Sequence, residues 1–254
     1  MAHSDNHPCA RLGTQALERA TQVLLALGGN QRQGLRLTEL SERCGLDLST
    51  TQRLVKGLVR LRLADRDEEK RYRLGALTFE LGLAAGQSNA IVGRMRPVLQ
   101  EVAQRTGDTA YYIVRSGDEV VCLLREEGHF QVRALIPAIG GRRPIGLGGA
   151  SLHILSQLEE RQAIIERNAG IYARYPHSTA EVVSMSATEA LRLGYGISHA
   201  RDIAGVSNAG IAVPNGDREP FAGIGITCIS PRLTQEHCEE AIVILREALA
   251  RAGY

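Results

Sequence analysis

Between Ser49 and Arg60 the chain sets hydroxyl, amide and cationic side chains at helical spacing: Ser49, Thr50, Gln52, Arg53, Lys56 and Arg60. Hydroxyls and amides bond phosphate oxygens or base edges, and Arg and Lys reach phosphates or the major-groove edge of guanine. Leu54, Leu58 and Leu61 step by four and three, which puts them on the opposite face of the same helix. From Leu48 to Leu74 there are eight basic residues against four acidic ones, a local excess of four. An excess of that kind neutralises phosphates, although a solvated helix face is the plainer alternative.

A second stretch with chemical potential is Gly146-Leu147-Gly148-Gly149-Ala150-Ser151, which leads into a helix beginning near Ala150. Backbone amides at a helix start favour an anion such as a carboxylate, and glycine lets a ligand approach them closely. No Gly-Lys-Ser/Thr follows, and Ser151 stands where a dinucleotide fingerprint needs its last glycine, so a nucleotide is not indicated. A plain loop-to-helix turn is the alternative.

Other chemistry is missing from the sequence. None of the seven histidines sits in a His-Glu-x-x-His motif, and no Gly-x-Ser-x-Gly elbow occurs. Ser198 and His199 are neighbours, an unusual catalytic pair. Cys9, Cys44, Cys122, Cys228 and Cys238 form no Cys-x-x-Cys pair and read as free thiols, several of them buried. No catalytic residue, metal site or cofactor is expected.

The elements that must position these groups follow from periodicity. Leu17, Ala20, Leu24 and Leu27 predict a helix from Thr14 to Leu27, ended by Gly28-Gly29-Asn30. Thr38 is the expected N-cap of a short helix with Leu40 and Cys44 inward, broken at Gly45. Asp47 or Ser49 then caps the helix that carries Arg53 and Lys56. Helix, glycine turn and basic amphipathic helix make a helix-turn-helix, or an ordinary helical hairpin. Leu63 to Arg66 and Arg71 to Leu74 read as strands around the polar turn Asp67-Glu68-Glu69-Lys70. That hairpin is a wing, with Arg71 and Arg73 on its outer side in reach of a DNA backbone or minor groove, and acids at its tip.

Ala16-Leu17-Glu18-Arg19-Ala20, Leu37-Thr38-Glu39-Leu40, Cys44-Gly45-Leu46, Ser49 to Leu54 and Arg71 to Gly75 together resemble the IclR family of bacterial transcription regulators. The resemblance implies an α+β chain: a winged helix-turn-helix over 13–75, a linker helix over 76–89 and a GAF-like effector domain over 90–254. It implies an operator in double-stranded DNA, a small-molecule effector, and a homodimer or tetramer. Thr38, Ser49, Thr50, Gln52, Arg53, Lys56, Arg71 and Arg73 become the expected DNA contacts. By position, the resemblance places Gly148, Gly149, Ala150, Asp202, Asn208, Thr227 and Cys228 around the effector. Leu48 stands where the family is often basic, Asn208 where cysteine is frequent, and Cys228 where glycine is frequent. The amide-rich loop suggests a small organic acid, aromatic ones included.

In the linker, Leu77, Leu81 and Ala84 or Ala85 share a side, which suits dimerisation or packing on its own domain. A helix is expected over Ala90 to Thr106, with Ile91, Met95, Val98 and Val102 inward. Strands are expected at Thr109 to Val114, Glu119 to Arg125, Phe130 to Ile136, Ile197 to Ala200, Val206 to Val213 and Phe221 to Ile229. Arg142-Arg143-Pro144 should open a loop, and Glu159 to Leu193 should be helical with a break at Pro176. A last helix starts after Pro231, capped by Thr234. These elements make helices over an antiparallel sheet. The 254 residues are 44% hydrophobic with a net charge of +2, enough for packed cores. Without a membrane span, and with a polar stretch from Met1 to Pro8 instead of a signal peptide, a cytoplasmic protein is expected. A winged helix that binds protein instead of DNA is the alternative function.

Overall fold

Helix α1 (Gln15–Gly28) packs on α2 (Leu37–Cys44) and α3 (Leu48–Arg60) because each carries one apolar stripe. A computed structural model of the chain describes residues 14–30, 33–87, 90–175, 177–199 and 203–254. Met1 to Pro8, Cys9, Pro176, Ala200 and Asp202 lie outside them. Two compact units result, Met1–Asn89 and Ala90–Tyr254.

In the first unit Val23, Leu27, Leu40, Val55, Leu58 and Tyr72 form the core. The wing strands β1 (Ala64–Arg66) and β2 (Tyr72–Leu74) pair antiparallel. Leu35 adds a bridge to Tyr72, exchanging bonds of 2.9 and 2.8 Å. Helix α4 (Ala76–Gln87) follows, its start tied by the Leu77 N–H to Arg62 O at 3.0 Å. Three expectations are corrected. Leu17 is 68% exposed, because it stands at the start of α1, before Ala20, Leu24 and Leu27 on the same face reach the core. Leu61 is 55% exposed, because α3 has ended and the chain turns at Arg62 with φ +60°. Thr38 is not the cap: α2 starts one residue earlier, after an extended Arg36 whose N–H donates to the Glu39 carboxylate at 2.6 Å.

The second unit opens with α5 (Ala90–Thr106) and the hairpin β3 (Thr109–Ser116) and β4 (Glu119–Glu126). After β5 (Arg142–Pro144) come α6 (Gly149–Ser156), α7 (Arg161–Tyr172) and α8 (Ala180–Leu193). The chain finishes with β6 (Gly196–His199), β7 (Val206–Ala212), β8 (Ala222–Ile229) and α9 (Gln235–Arg251), the last capped by Thr234. Among the described residues these strands form a six-stranded sheet in the order β5-β4-β3-β8-β7-β6, antiparallel throughout.

Strand alternation divides the side chains between two cores. Tyr112, Ile224 and Ile226 meet Met95, Leu99 and Val102 of α5 and Leu245 of α9 on one face. Each fully buried apolar side chain there contributes about 1.5–3 kcal/mol. Tyr111 and Ile113 meet Leu152 and Leu155 of α6, with Ile164 of α7 and Val183 of α8, on the other.

The expected strand from Phe130 to Ile136 does not form. The outer edge of β4 is taken by β5, expected from sequence to be a loop, through Val121↔Arg142 and Glu119↔Pro144. The 130–136 backbone bonds elsewhere: the Phe130 N–H to Gly107 O at 2.9 Å, and Leu135 O to the Arg125 side chain at 2.7 Å. Strand-forming residues without a free sheet edge stay a loop.

Candidate nucleic-acid interface and ligand pocket

The turn between α2 and α3 rests on Gly45, whose φ of +61° is open to glycine but strained for other residues. Asp47 then starts α3 by accepting the Thr50 N–H at 2.8 Å and the Ser49 hydroxyl at 2.6 Å. These bonds, the Ser49 hydroxyl first, hold the Asp47 carboxyl well below the usual carboxylate range. α3 buries Thr51, Val55 and Leu58 and turns Ser49, Gln52, Arg53, Lys56 and Arg60 to solvent, with Thr50 half-buried.

Two grooves flank that face. Gln52 and Lys56 line one of them with Thr38, Arg36 and the wing residues Arg66 and Lys70. Thr50 and Arg53 line the other with Gln15 and Arg19 of α1, and the Arg53 guanidinium donates to the Thr50 hydroxyl at 3.4 Å. Arg71 and Arg73 are held within the unit. Arg73 pairs with Asp67 at 2.8 Å, and Arg71 donates to Gly34 O at 3.3 Å with Glu39 3.6 Å away. Acids of the unit therefore partly neutralise the two arginines that sequence reasoning assigns to DNA. Arg36, Arg66 and Lys70 are outside that assignment; the local basic excess is the only sequence signal for the latter two.

In the second unit a cavity of about 30 Å³ lies between the sheet and the start of α6. Its walls are mainly apolar: Tyr111 and Ile113 of β3, Val120 and Cys122 of β4, Pro144 of β5, and Ile136 and Pro137 of the preceding loop. Arg143, Ser151, Asn208 and Thr227 add polar groups. The Ser151 hydroxyl accepts the amides of Gly146 and Gly148 at 3.2 and 3.0 Å. Asn208 Oδ1 accepts the Gly149 N–H at 2.5 Å. Burial pushes the Cys122 thiol up to about 12, so it serves as apolar wall and not as a nucleophile.

The IclR helix-turn-helix domain matches residues 16–68, and the bacterial transcriptional regulator IclR C-terminal domain matches residues 84–252. The chain belongs to the IclR family. It is a DNA-binding transcriptional regulator with a C-terminal effector domain, and its relatives are regulators rather than enzymes. The HTH-type transcriptional repressor AllR of Salmonella paratyphi A is 26% identical over 236 residues, 90% of this chain and 85% of the relative. An IclR-type regulator from Alicyclobacillus acidocaldarius has a TM-score of 0.76 at 22% identity, covering 96% of this chain and 98% of that one. An IclR homologue from Microbacterium hydrocarbonoxydans, solved with 4-hydroxybenzoate, has a TM-score of 0.65 at 20% identity, covering 93% of this chain and 100% of that one. Among the described residues no helix is long and apolar enough to cross a membrane.

Of the effector residues carried over from the IclR family, the cavity brings together Gly148, Asn208 and Thr227. Gly149 serves packing: a Cβ there would stand 2.5 Å from Gly196 O. Ala150 is fully buried, with its Cβ against Gly210 and Gly223 of the sheet. Cys228 belongs to the opposite core, since alternation cannot turn both Thr227 and Cys228 to one face. Tyr111 and Arg143 are missed by sequence reasoning, whereas Ser151 ends the loop it singles out. Nothing local in the sequence marks the first two, because strand register and the β5 edge bring them together.

Proposed function

We propose that this IclR regulator reads its operator with the exposed face of α3 and the groove beside the wing, and that a small carboxylate with an apolar or aromatic body binds in the second unit and biases that reading. Ser49, Thr50, Gln52, Arg53 and Lys56 supply the base and phosphate contacts, joined by Thr38, Arg36, Arg66 and Lys70. Arg71 and Arg73 contribute less, because Asp67 and Glu39 already engage them.

The observation that carries the effector half is the composition of the cavity. Its apolar walls suit an organic body, while Arg143 and the amide-bearing start of α6 suit an acid. The Microbacterium relative's 4-hydroxybenzoate is a compound of that kind. The effector acts by binding DNA-competent and DNA-incompetent arrangements unequally; equal affinity would shift nothing. A homodimer or a pair of dimers presents two reading helices to two half-sites. The exposed Phe79, Leu81 and Leu83 of α4 supply apolar surface for such an assembly.

Thermal-shift screening of carboxylates, paired with a mobility shift on the DNA upstream of its own gene, tests both halves. Stabilisation by an acid that also changes operator affinity is the expected result. Stabilisation by neutral or cationic compounds alone would overturn the acid.

A further inference from the structure

We propose that Asn208 is an internal stand-in for the effector's acid group, occupying the first amide of α6 until a carboxylate displaces it. The proposal rests on the pocket reading given above. Asn208 comes from β7, yet its Oδ1 sits 2.5 Å from the Gly149 nitrogen, where an anion settles at a helix start. A side-chain amide is a neutral acceptor there. A carboxylate makes a charge-assisted bond about twice as strong, so exchange keeps the amide satisfied and strengthens its bond.

The neighbouring residues also point to a ligand. Thr227 pairs with Asn208 across β7 and β8, is 2% exposed and lines the cavity. One strand further, Thr109 pairs with Thr227 on the same face, and its buried Oγ1 has no partner among the described residues. Buried hydroxyls are ordinarily bonded, so the unpartnered Thr109 Oγ1, next to Thr227 on the pocket face of the sheet, marks the place of a missing polar group. At about 30 Å³ the cavity has room for one or two waters. Asn208 is the wall group whose bond an acid reproduces. Its departure breaks the side-chain tie between β7 and α6, which links acid binding to the seating of α6 on the sheet.

The test is calorimetric titration of the full chain with benzoate and 4-hydroxybenzoate, with benzamide as the neutral control. Asn208→Ala removes the competitor, and should bind an acid roughly tenfold tighter than the unmodified protein, with benzamide unchanged. Asn208→Asp keeps the bond to Gly149 and adds a negative charge, and should bind neither acid. Equal or weaker acid binding by Asn208→Ala, or acid binding retained by Asn208→Asp, overturns the stand-in while leaving a carboxylate effector in place. Absence of acid binding to the unmodified protein and to a folded Asn208→Ala overturns both readings. Should Asn208→Ala fail to fold, the unmodified protein decides by NMR. Saturating benzoate should shift the Gly149 amide and the Asn208 side-chain NH2 together, and unchanged resonances overturn the proposal.

Discussion

The proposed DNA-reading surface and the proposed effector pocket are built in opposite ways. The surface is concentrated on α3, a continuous helix of 13 residues that turns its polar face to solvent. The pocket draws Tyr111 from β3, Cys122 from β4, Arg143 from β5, Asn208 from β7 and Thr227 from β8, strands spread across most of the second unit's sequence. A convex site of the first kind depends on one helix period. A concave site of the second kind depends on the register of several strand pairings.

That contrast makes the two sites separable by mutation. The largest effect is expected from Arg53→Ala with Lys56→Ala, which should lower operator affinity on the order of a hundredfold. The slope of log affinity against log salt should fall by about one for each lost phosphate contact. Acid binding in the second unit should be unchanged. A mobility-shift series over salt concentration measures this, and an unchanged operator affinity would remove α3 from the interface. Arg143→Leu is the reciprocal case: acid affinity by calorimetry should fall roughly tenfold through loss of a charge-assisted bond, with ligand-free operator binding intact.

A pH experiment probes the second unit alone. His153 lies partly buried on α6, and its Nδ1 accepts the Ala212 N–H at 2.9 Å. Burial, helped by Arg246, pushes its pKa down to about 4 from 6.5. Between those values the unfolded chain holds a proton that the folded one does not. Its stabilising contribution is therefore complete above pH 6.5 and is lost as pH falls toward 4, by up to about 1.4 kcal/mol per pH unit. Denaturant melts of His153→Gln should show a shallower decline over that window, and an identical pH profile would exclude His153 as the cause.

Smaller effects sharpen the reading of the first unit. Asp47→Ala removes the cap of α3 and should lower the melting temperature by a few degrees. Arg73→Ala should change operator affinity by less than about threefold, because Asp67 already holds that cation at 2.8 Å. Asp67→Ala should strengthen binding slightly by releasing it. A large loss in Arg73→Ala would restore the wing to the place the sequence suggests.

The legibility of each part follows its construction. Gly45, Asp47 and the Thr51–Val55–Leu58 stripe lie within one local pattern, so the turn and the reading helix are legible in the residues themselves. The errors in that unit fall at helix ends. Leu17 and Leu61 fit the period but extend past the neighbours that would cover them, and Thr38 lies just inside the helix it was expected to cap. The second unit is legible as elements, including α5, the hairpin β3–β4 and the Thr234 cap. Phe130 to Ile136 fails as a strand because propensity does not say whether a sheet edge is available, and β5 takes it. Cys228 fails as a pocket residue because position in a family segment does not say which face of the sheet a residue occupies.

The sequence by itself determined the family, the winged helix and its exposed polar face, because helical periodicity and turn chemistry are local. Only the tertiary structure decided that Arg71 and Arg73 are engaged by nearby acids, that Arg143 and Tyr111 join the pocket, and that Asn208 reaches across to the start of α6. Each of those depends on side chains brought together by strand pairing or chain reversal, and such contacts carry no period a sequence can display.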